Sequence, residues 1–353
     1  MNDWIRALQA EVASHGNAIL VSIVATKGSV PRPPGTRMIV SADAIAGTIG
    51  GGHLEHKAIA IARDLIVARG PLSLQRFPLS ASLGQCCGGL VELLFEPVFD
   101  TAGWVEPVAR LRAKGIDCAI VVPVRGHAPA SHLIVTATSE TGTLGSATDD
   151  NEATALARAL LKGASTPGLA TLGGSAGLEV FVDSVRVPDL SIVLFGAGHV
   201  GRAIVRTLAG VDCSIQWVDT RDDAFPAVIP DGVVCVITDT PEAEVAAAPS
   251  GAYFLVMTHS HAQDEALAER ILARDDFAYF GLIGSVSKRR QFERRLEARG
   301  MPRARLAAMT CPIGIDGIAG KEPEVIAIAV AAELLQVRSG AMAAGSAAQW
   351  RRA

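Results

Sequence analysis

Two glycine-framed turns hold the residue types that can do chemistry. The first, Leu83-Gly84-Gln85-Cys86-Cys87-Gly88-Gly89, sets two thiols side by side. Adjacent cysteines lack the spacer of a dithiol redox pair or a zinc knuckle, and a bridge between them conflicts with ordinary disulfide geometry. Thiolates are soft ligands and strong nucleophiles, so the turn suits a soft metal centre or the carriage of sulfur. The bland alternative is a pair of inert thiols in a tight structural turn. The second turn, Gly196-Ala197-Gly198-His199-Val200-Gly201, follows an apolar run and precedes a helical pattern. Gly196 makes the turn, Gly198 admits close approach of backbone to a pyrophosphate, and Gly201 permits tight helix-strand packing. The helix start then offers free N–H groups to an anion. Asp219, about 20 residues on, stands where a ribose-binding carboxylate belongs. The competing reading is a fold of this type without a ligand.

Other loops are expected at the same edge. Thr258-His259-Ser260-His261 carries two imidazoles one residue apart, which an extended backbone points to opposite sides, so hydrogen bonding by His259 is favoured over joint metal ligation. Gly284-Ser285-Val286-Ser287-Lys288-Arg289-Arg290 puts hydroxyls and cations at a helix start, suiting Ser285 and Lys288 to phosphate or to plain solvation. Near the N-terminus, Gly28-Ser29-Val30-Pro31-Arg32-Pro33-Pro34-Gly35 and Gly47-Thr48-Ile49-Gly50-Gly51-Gly52-His53-Leu54-Glu55 are dense in glycine and border strand-like runs. Such loops let a ligand approach backbone closely.

These turns need elements to hold them. Strands are predicted over 18–26, 37–40, 45–49 and 90–95, with a helix over 53–68 from the spacing of Leu54, Ala58, Ile61 and Leu65. The stretch 104–187 reads as the rest of the first domain, with helices over 106–114 and 152–161 and strands over 119–123, 133–138 and 178–187. From Leu190 onward strands alternate with helices, which predicts a Rossmann-like doubly wound parallel sheet. The expected organisation is an N-terminal mixed α/β domain over 1–188, a Rossmann-like domain over 189–338 and a disordered tail over 339–353, with no internal repeat.

At 353 residues and 49% hydrophobic, the chain can fill two cores. Its net charge of −4 supplies no basic surplus for a nucleic-acid backbone or an anionic membrane. The first residues lack the order of a secretory signal, no apolar run approaches the roughly 20 residues of a membrane span, and six scattered cysteines suit a reducing compartment. A cytoplasmic protein with no nucleic-acid or membrane partner is expected.

Together these segments, with Val218-Asp219-Thr220-Arg221, resemble the XdhC/CoxI family, and the ordered combination covers nearly the whole chain except 104–177 and the tail. The resemblance implies an accessory chaperone rather than an enzyme. Such a protein binds the molybdenum cofactor (molybdopterin, in mono- or dinucleotide form) as cargo and protects it while a cysteine desulfurase partner supports its sulfuration. It then delivers the cofactor to the molybdenum-binding subunit of xanthine dehydrogenase, and a homodimer is implied. Carried over by motif, Gln85, Cys86, Cys87 and Gly88 form the cofactor-binding loop, with Cys86 or Cys87 facing molybdenum. Gly196, Gly198, His199, Gly201, Asp219, His259, Ser285 and Lys288 would hold the phosphate or nucleotide end. The alternatives are a maturation factor for aldehyde oxidoreductase or carbon monoxide dehydrogenase, a nicotinamide-dependent oxidoreductase, and a protein-protein adaptor for the client or the desulfurase with no cofactor of its own.

Overall fold

Alternation along the central strand Ala18–Lys27 explains the first half of the molecule. Ala18, Leu20 and Val24 enter one core while Ile19, Val21 and Ile23 enter another, so a strand buried on both faces reads as a continuous apolar run. The computed structural model describes residues 4–79, 88–101, 103–126, 131–174, 177–230 and 232–350, with side chains up to 340. The chain divides into two units, the first ending at Val187 and the second starting at Pro188.

The first unit runs α1 (Trp4–His15), β1 (Ala18–Lys27), β2 (Arg37–Val40), β3 (Ile45–Gly47), α2 (Gly52–Ala68), β4 (Ser73–Pro78) and β5 (Leu90–Val98). It continues with α3 (Val105–Ala113), β6 (Cys118–Arg125), β7 (Leu133–Val135), β8 (Glu140–Thr141), α4 (Ala147–Leu161), β9 (Gly168–Thr171) and β10 (Glu179–Val185). Two antiparallel sheets result, ordered β3-β2-β1-β5-β4 and β8-β7-β6-β10-β9. Helix α2 covers the outer face of the first through Leu54, Ala58 and Ala62, and α4 covers the second through Ala153, Ala157 and Leu160. The inner faces share one core with α1 and α3.

The expectation of no internal repeat is overturned here. The second seven elements reproduce the order of the first seven, and the two sheets have the same strand order. Eleven of the 32 residues from 37 to 68 are identical to the residue 95 positions later, including Gly47-Thr48-x-Gly50 with Gly142-Thr143-x-Gly145 and Ala58-x-Ala60-x-Ala62-Arg63-x-Leu65 with Ala153-x-Ala155-x-Ala157-Arg158-x-Leu160. A scan for one fixed period misses this because the offset drifts. Ile19 pairs with Val40 as Ala119 pairs with Val135, an offset of 100 on the central strands, whereas Glu96 faces Leu20 as Asp183 faces Ile120, an offset of 87.

The second unit contains β11 (Ser191–Phe195), α5 (His199–Leu208), β12 (Ser214–Asp219), β13 (Val233–Ile237), α6 (Pro241–Ala247), β14 (Tyr253–Val256), α7 (His261–Ala273), β15 (Tyr279–Leu282), α8 (Val286–Ala298), α9 (Arg303–Leu306), β16 (Met309–Thr310) and α10 (Pro323–Trp350). Its sheet is parallel throughout and ordered β13-β12-β11-β14-β15-β16. Helices α5 and α10 pack on one face, and α6 to α9 on the other. This is the doubly wound Rossmann arrangement that the alternation of strands and helices predicts. Helix α10 continues to Trp350, through the stretch read from composition as a disordered tail. No helix among the described residues is long and apolar enough to cross a membrane.

Candidate functional site

The strand order reverses between β11 and β14, and open α/β sheets bind ligands at such a point, beyond the carboxyl ends of the strands. Both the Gly196 turn and the Thr258 loop emerge there. Two of the three glycines have packing reasons to lack a side chain, and the third has none. Gly196 has φ +113°, and a Cβ on it would lie 2.4 Å from the Met257 carbonyl oxygen of the neighbouring strand end. A Cβ on Gly201 would lie 2.1 Å from the Gly196 carbonyl oxygen, which also accepts from Trp217 Nε1 at 3.1 Å. Nothing stands within 4 Å of a Cβ on Gly198, which is exposed with its neighbour His199. Packing therefore demands the outer two glycines and leaves the middle one facing open space.

Asp219 ends β12 and is buried beneath this turn. Its Oδ2 accepts from Ala197 N at 2.7 Å, its Oδ1 accepts from Arg221 N at 3.0 Å, and the Arg221 fork donates to both oxygens at 3.0 Å. Burial works against the charge. The Arg221 hydrogen bonds and the two backbone donors nevertheless hold the carboxyl below its ordinary pKa. In this conformation the carboxylate anchors the turn, and no oxygen of it is left over for a ribose. A small crevice lined by Gly196, Asp219, Thr220, Thr258 and Gln263 opens beside it.

The Thr258 loop is organised by Asp264. Its Oδ1 accepts from Thr258 N at 3.0 Å and Thr258 Oγ1 at 2.7 Å, while Lys288 Nζ donates to its Oδ2 at 2.7 Å and to the Ile283 carbonyl at 2.8 Å. Lys288 thus ties the two loops together with a largely but not fully buried side chain. Ser285 caps α8 by accepting from Lys288 N at 3.2 Å, and Ser260 caps α7 by accepting from Gln263 N. His259 is exposed. Among the described residues no group of three or more His, Cys, Asp or Glu is placed to hold a metal ion.

In the first unit Gln85, Cys86 and Cys87 lie outside the described residues, while the residues that follow them are well placed. Gly89 is wedged into the Gly28 loop: a Cβ on it would stand 2.3 Å from the Ser29 carbonyl oxygen and 2.9 Å from that of Lys27. Its carbonyl accepts from Leu79 N at 2.7 Å, and Gly88 beside it is exposed. Gly50, at φ +123°, sits against Pro31, with room for no Cβ. The three glycine loops, read separately in the sequence, therefore converge at one end of the first sheet.

Glu55 supports that convergence and sequence reasoning gave it no role of its own. Its Oε2 accepts from Thr48 Oγ1, from Ile49 N at 3.0 Å and from Gly51 N at 3.0 Å. These hydrogen bonds outweigh its burial and lower its pKa. The signal was available: Asp150 stands seven residues after Thr143, as Glu55 does after Thr48, and accepts from Thr143 Oγ1 at 2.7 Å and Leu144 N at 2.6 Å.

A family model described as the XdhC Rossmann domain matches residues 192–334, and one described as the XdhC and CoxI family matches residues 12–78. The Escherichia coli K12 protein YqeB is 31% identical over 170 residues, which are 48% of this chain and 30% of YqeB, so the chain spans under a third of that relative's length. A crystal structure from Bacillus halodurans, described as a xanthine dehydrogenase, superimposes with a TM-score of 0.69 over 96% of both chains at 20% identity. At that identity the likeness speaks for a common fold.

Proposed function

Because this chain belongs to the XdhC and CoxI family, we propose that it is an accessory protein in the maturation of xanthine dehydrogenase. In this reading it binds the molybdenum cofactor as cargo, shields it while a desulfurase replaces an oxygen on the metal with sulfur, and passes it to the molybdenum-binding subunit. The observation that supports this best is the convergence of the Gly28, Gly50 and Gly89 loops at one sheet end, directly after the Cys86-Cys87 pair. Soft sulfur beside the uncrowded backbone of Gly88 and Gly51, where a Cβ would meet nothing within 4 Å, is the chemistry a molybdenum dithiolene calls for. In the second unit, the open face at Gly198 and the N-terminus of α5 offer donors to a phosphate group.

The experiment is to incubate the purified protein with cofactor released from a molybdoenzyme, then measure molybdenum by metal analysis and pterin by fluorescence after oxidation. The wild type should retain both, and C86A/C87A should lose most of the metal and yield little active xanthine dehydrogenase. Undiminished retention and full activation by C86A/C87A would remove the thiols from the site.

A nicotinamide-dependent oxidoreductase is favoured by the Rossmann strand order and the glycine turn. Against it stands Asp219, both of whose oxygens are committed to Ala197 and Arg221. Stoichiometric, tight binding in an NADH titration would promote that reading.

A further inference from the structure

The two repeats of the first unit meet through their inner sheet faces, and the contacts there obey a rule. Arg37 at the start of β2 reaches across to Asp183 on β10, and His132 just before β7 reaches across to Glu96 on β5, with Nε2 to Oε1 at 2.7 Å. Residues 37 and 132 are equivalent by the offset of 95, and 96 and 183 by the offset of 87. Position 37 of one repeat therefore pairs with position 96 of the other, and the reverse pair is also made. The aromatic neighbours follow suit. Arg37 lies 4.0 Å over the Trp4 ring, and His132 stacks at 4.6 Å on Trp104, each tryptophan leading into its repeat's first helix. The two indoles meet at 6.0 Å. A cavity of about 10 Å³ lies between the sheets, and its walls come in the same matched pairs: Leu20 with Ile120, Ser22 with Val122, Leu94 with Phe181.

Contacts of the form i to j′ and j to i′ define an isologous interface, the kind formed by two identical subunits about a two-fold axis. A tandem array built head to tail would use two different surfaces instead. We propose that the first unit is a fused pseudo-dimer, in which the inner face of the first repeat is a docking surface for a second copy of its own module and the second repeat is that copy. The four polar side chains are its registration device. They are largely buried, from 4% exposed at Asp183 to 11% at His132, so a one-sided change leaves a buried polar group without its partner. In the second repeat the arginine has become histidine and the longer carboxylate stands opposite, a compensated change of reach. One consequence concerns assembly: any homodimer of the whole chain has to use another surface, since this one is filled from within.

Pseudo-symmetry predicts that the arms are interchangeable. H132R/E96D would give both arms an arginine-aspartate pair, and R37H/D183E would give both a histidine-glutamate pair. In thermal unfolding of the full-length protein, H132R and E96D alone should each lower the midpoint by several degrees, and the double variant should recover more than half of the combined loss. The same coupling is expected for R37H with D183E, while D183A should lose on the order of 10 °C. If the losses simply add in both double variants, the two arms are not equivalent and the pseudo-dimer reading is wrong.

Discussion

Asp219 shows how one residue can look like a ligand group and act as a beam. Its place at the end of β12 is where a ribose-binding carboxylate belongs, and the chain fills its lone pairs internally with Ala197 N and the Arg221 fork. The carboxyl pKa is held below its unfolded value of about 3.9. A depressed folded pKa means that its stabilisation is fully present above the unfolded value and is lost as the pH falls through the folded one. D219N should cost about 1–2 kcal/mol at pH 7, at the modest end for a charged hydrogen bond because Arg221 is half exposed. The gap between wild type and variant, measured by urea titration at successive pH values, should begin to narrow below about pH 4 and go on narrowing as the pH falls through the lower folded pKa. A gap that stays constant down to pH 2 would show that the charge contributes nothing to the turn.

At the scale of elements, the glycine turns separate packing from binding. Gly198 is already compatible with a side chain, at φ −73° with nothing within 4 Å of a Cβ, so G198A should change stability by less than about 0.5 kcal/mol. G201A drives a Cβ into the Gly196 carbonyl between helix and strand and should cost about 2–3 kcal/mol. If Gly198 faces the ligand, G198A nonetheless weakens retention of pterin in the fluorescence assay. A loss of stability in G198A equal to that of G201A would show that the turn is only structural. How much of this could be read beforehand depends on how local the cause is. The Rossmann half was legible because each strand, turn and helix carries its own signal. Helix α1 was missed because Ile5, Leu8 and Val12 are a thin apolar stripe among charges, and β4 because its edge position lets Gln75 and Arg76 stand in a strand. The convergence of the three glycine loops depends on sheet order, which no local pattern encodes. Glu55 and the repeat needed comparison of the chain with itself.

On the scale of the molecule, duplication raises the question of how many sites the first unit has. The second repeat keeps the frame of the first and fills its openings from within. Ser146 caps α4 by accepting from Asp149 N at 3.2 Å, and Glu152 accepts from Gly173 N at 2.8 Å. In the first repeat the helix start is Gly51 with no side-chain cap. The positions matching Asp149 and Glu152 are Leu54 and Lys57, so the local charge there is less negative and an anion is less opposed. The loop matching the cysteine turn reads Leu172-Gly173-Gly174-Ser175-Ala176-Gly177, without a thiol. Glu55 and Asp150 serve the two loops alike, so the repeats differ at the helix start, uncapped in the first and capped by Ser146 in the second, and at Glu152, whose counterpart is Lys57. Retained pterin should therefore saturate at one per chain, whatever the excess of released cofactor. Substituting Glu152 by Gln should leave that ratio untouched, while Lys57→Glu, which brings the second repeat's charge into the first, should lower it. A ratio of two per chain, or a K57E protein that binds as well as wild type, would mean that the repeats did not divide the work in this way.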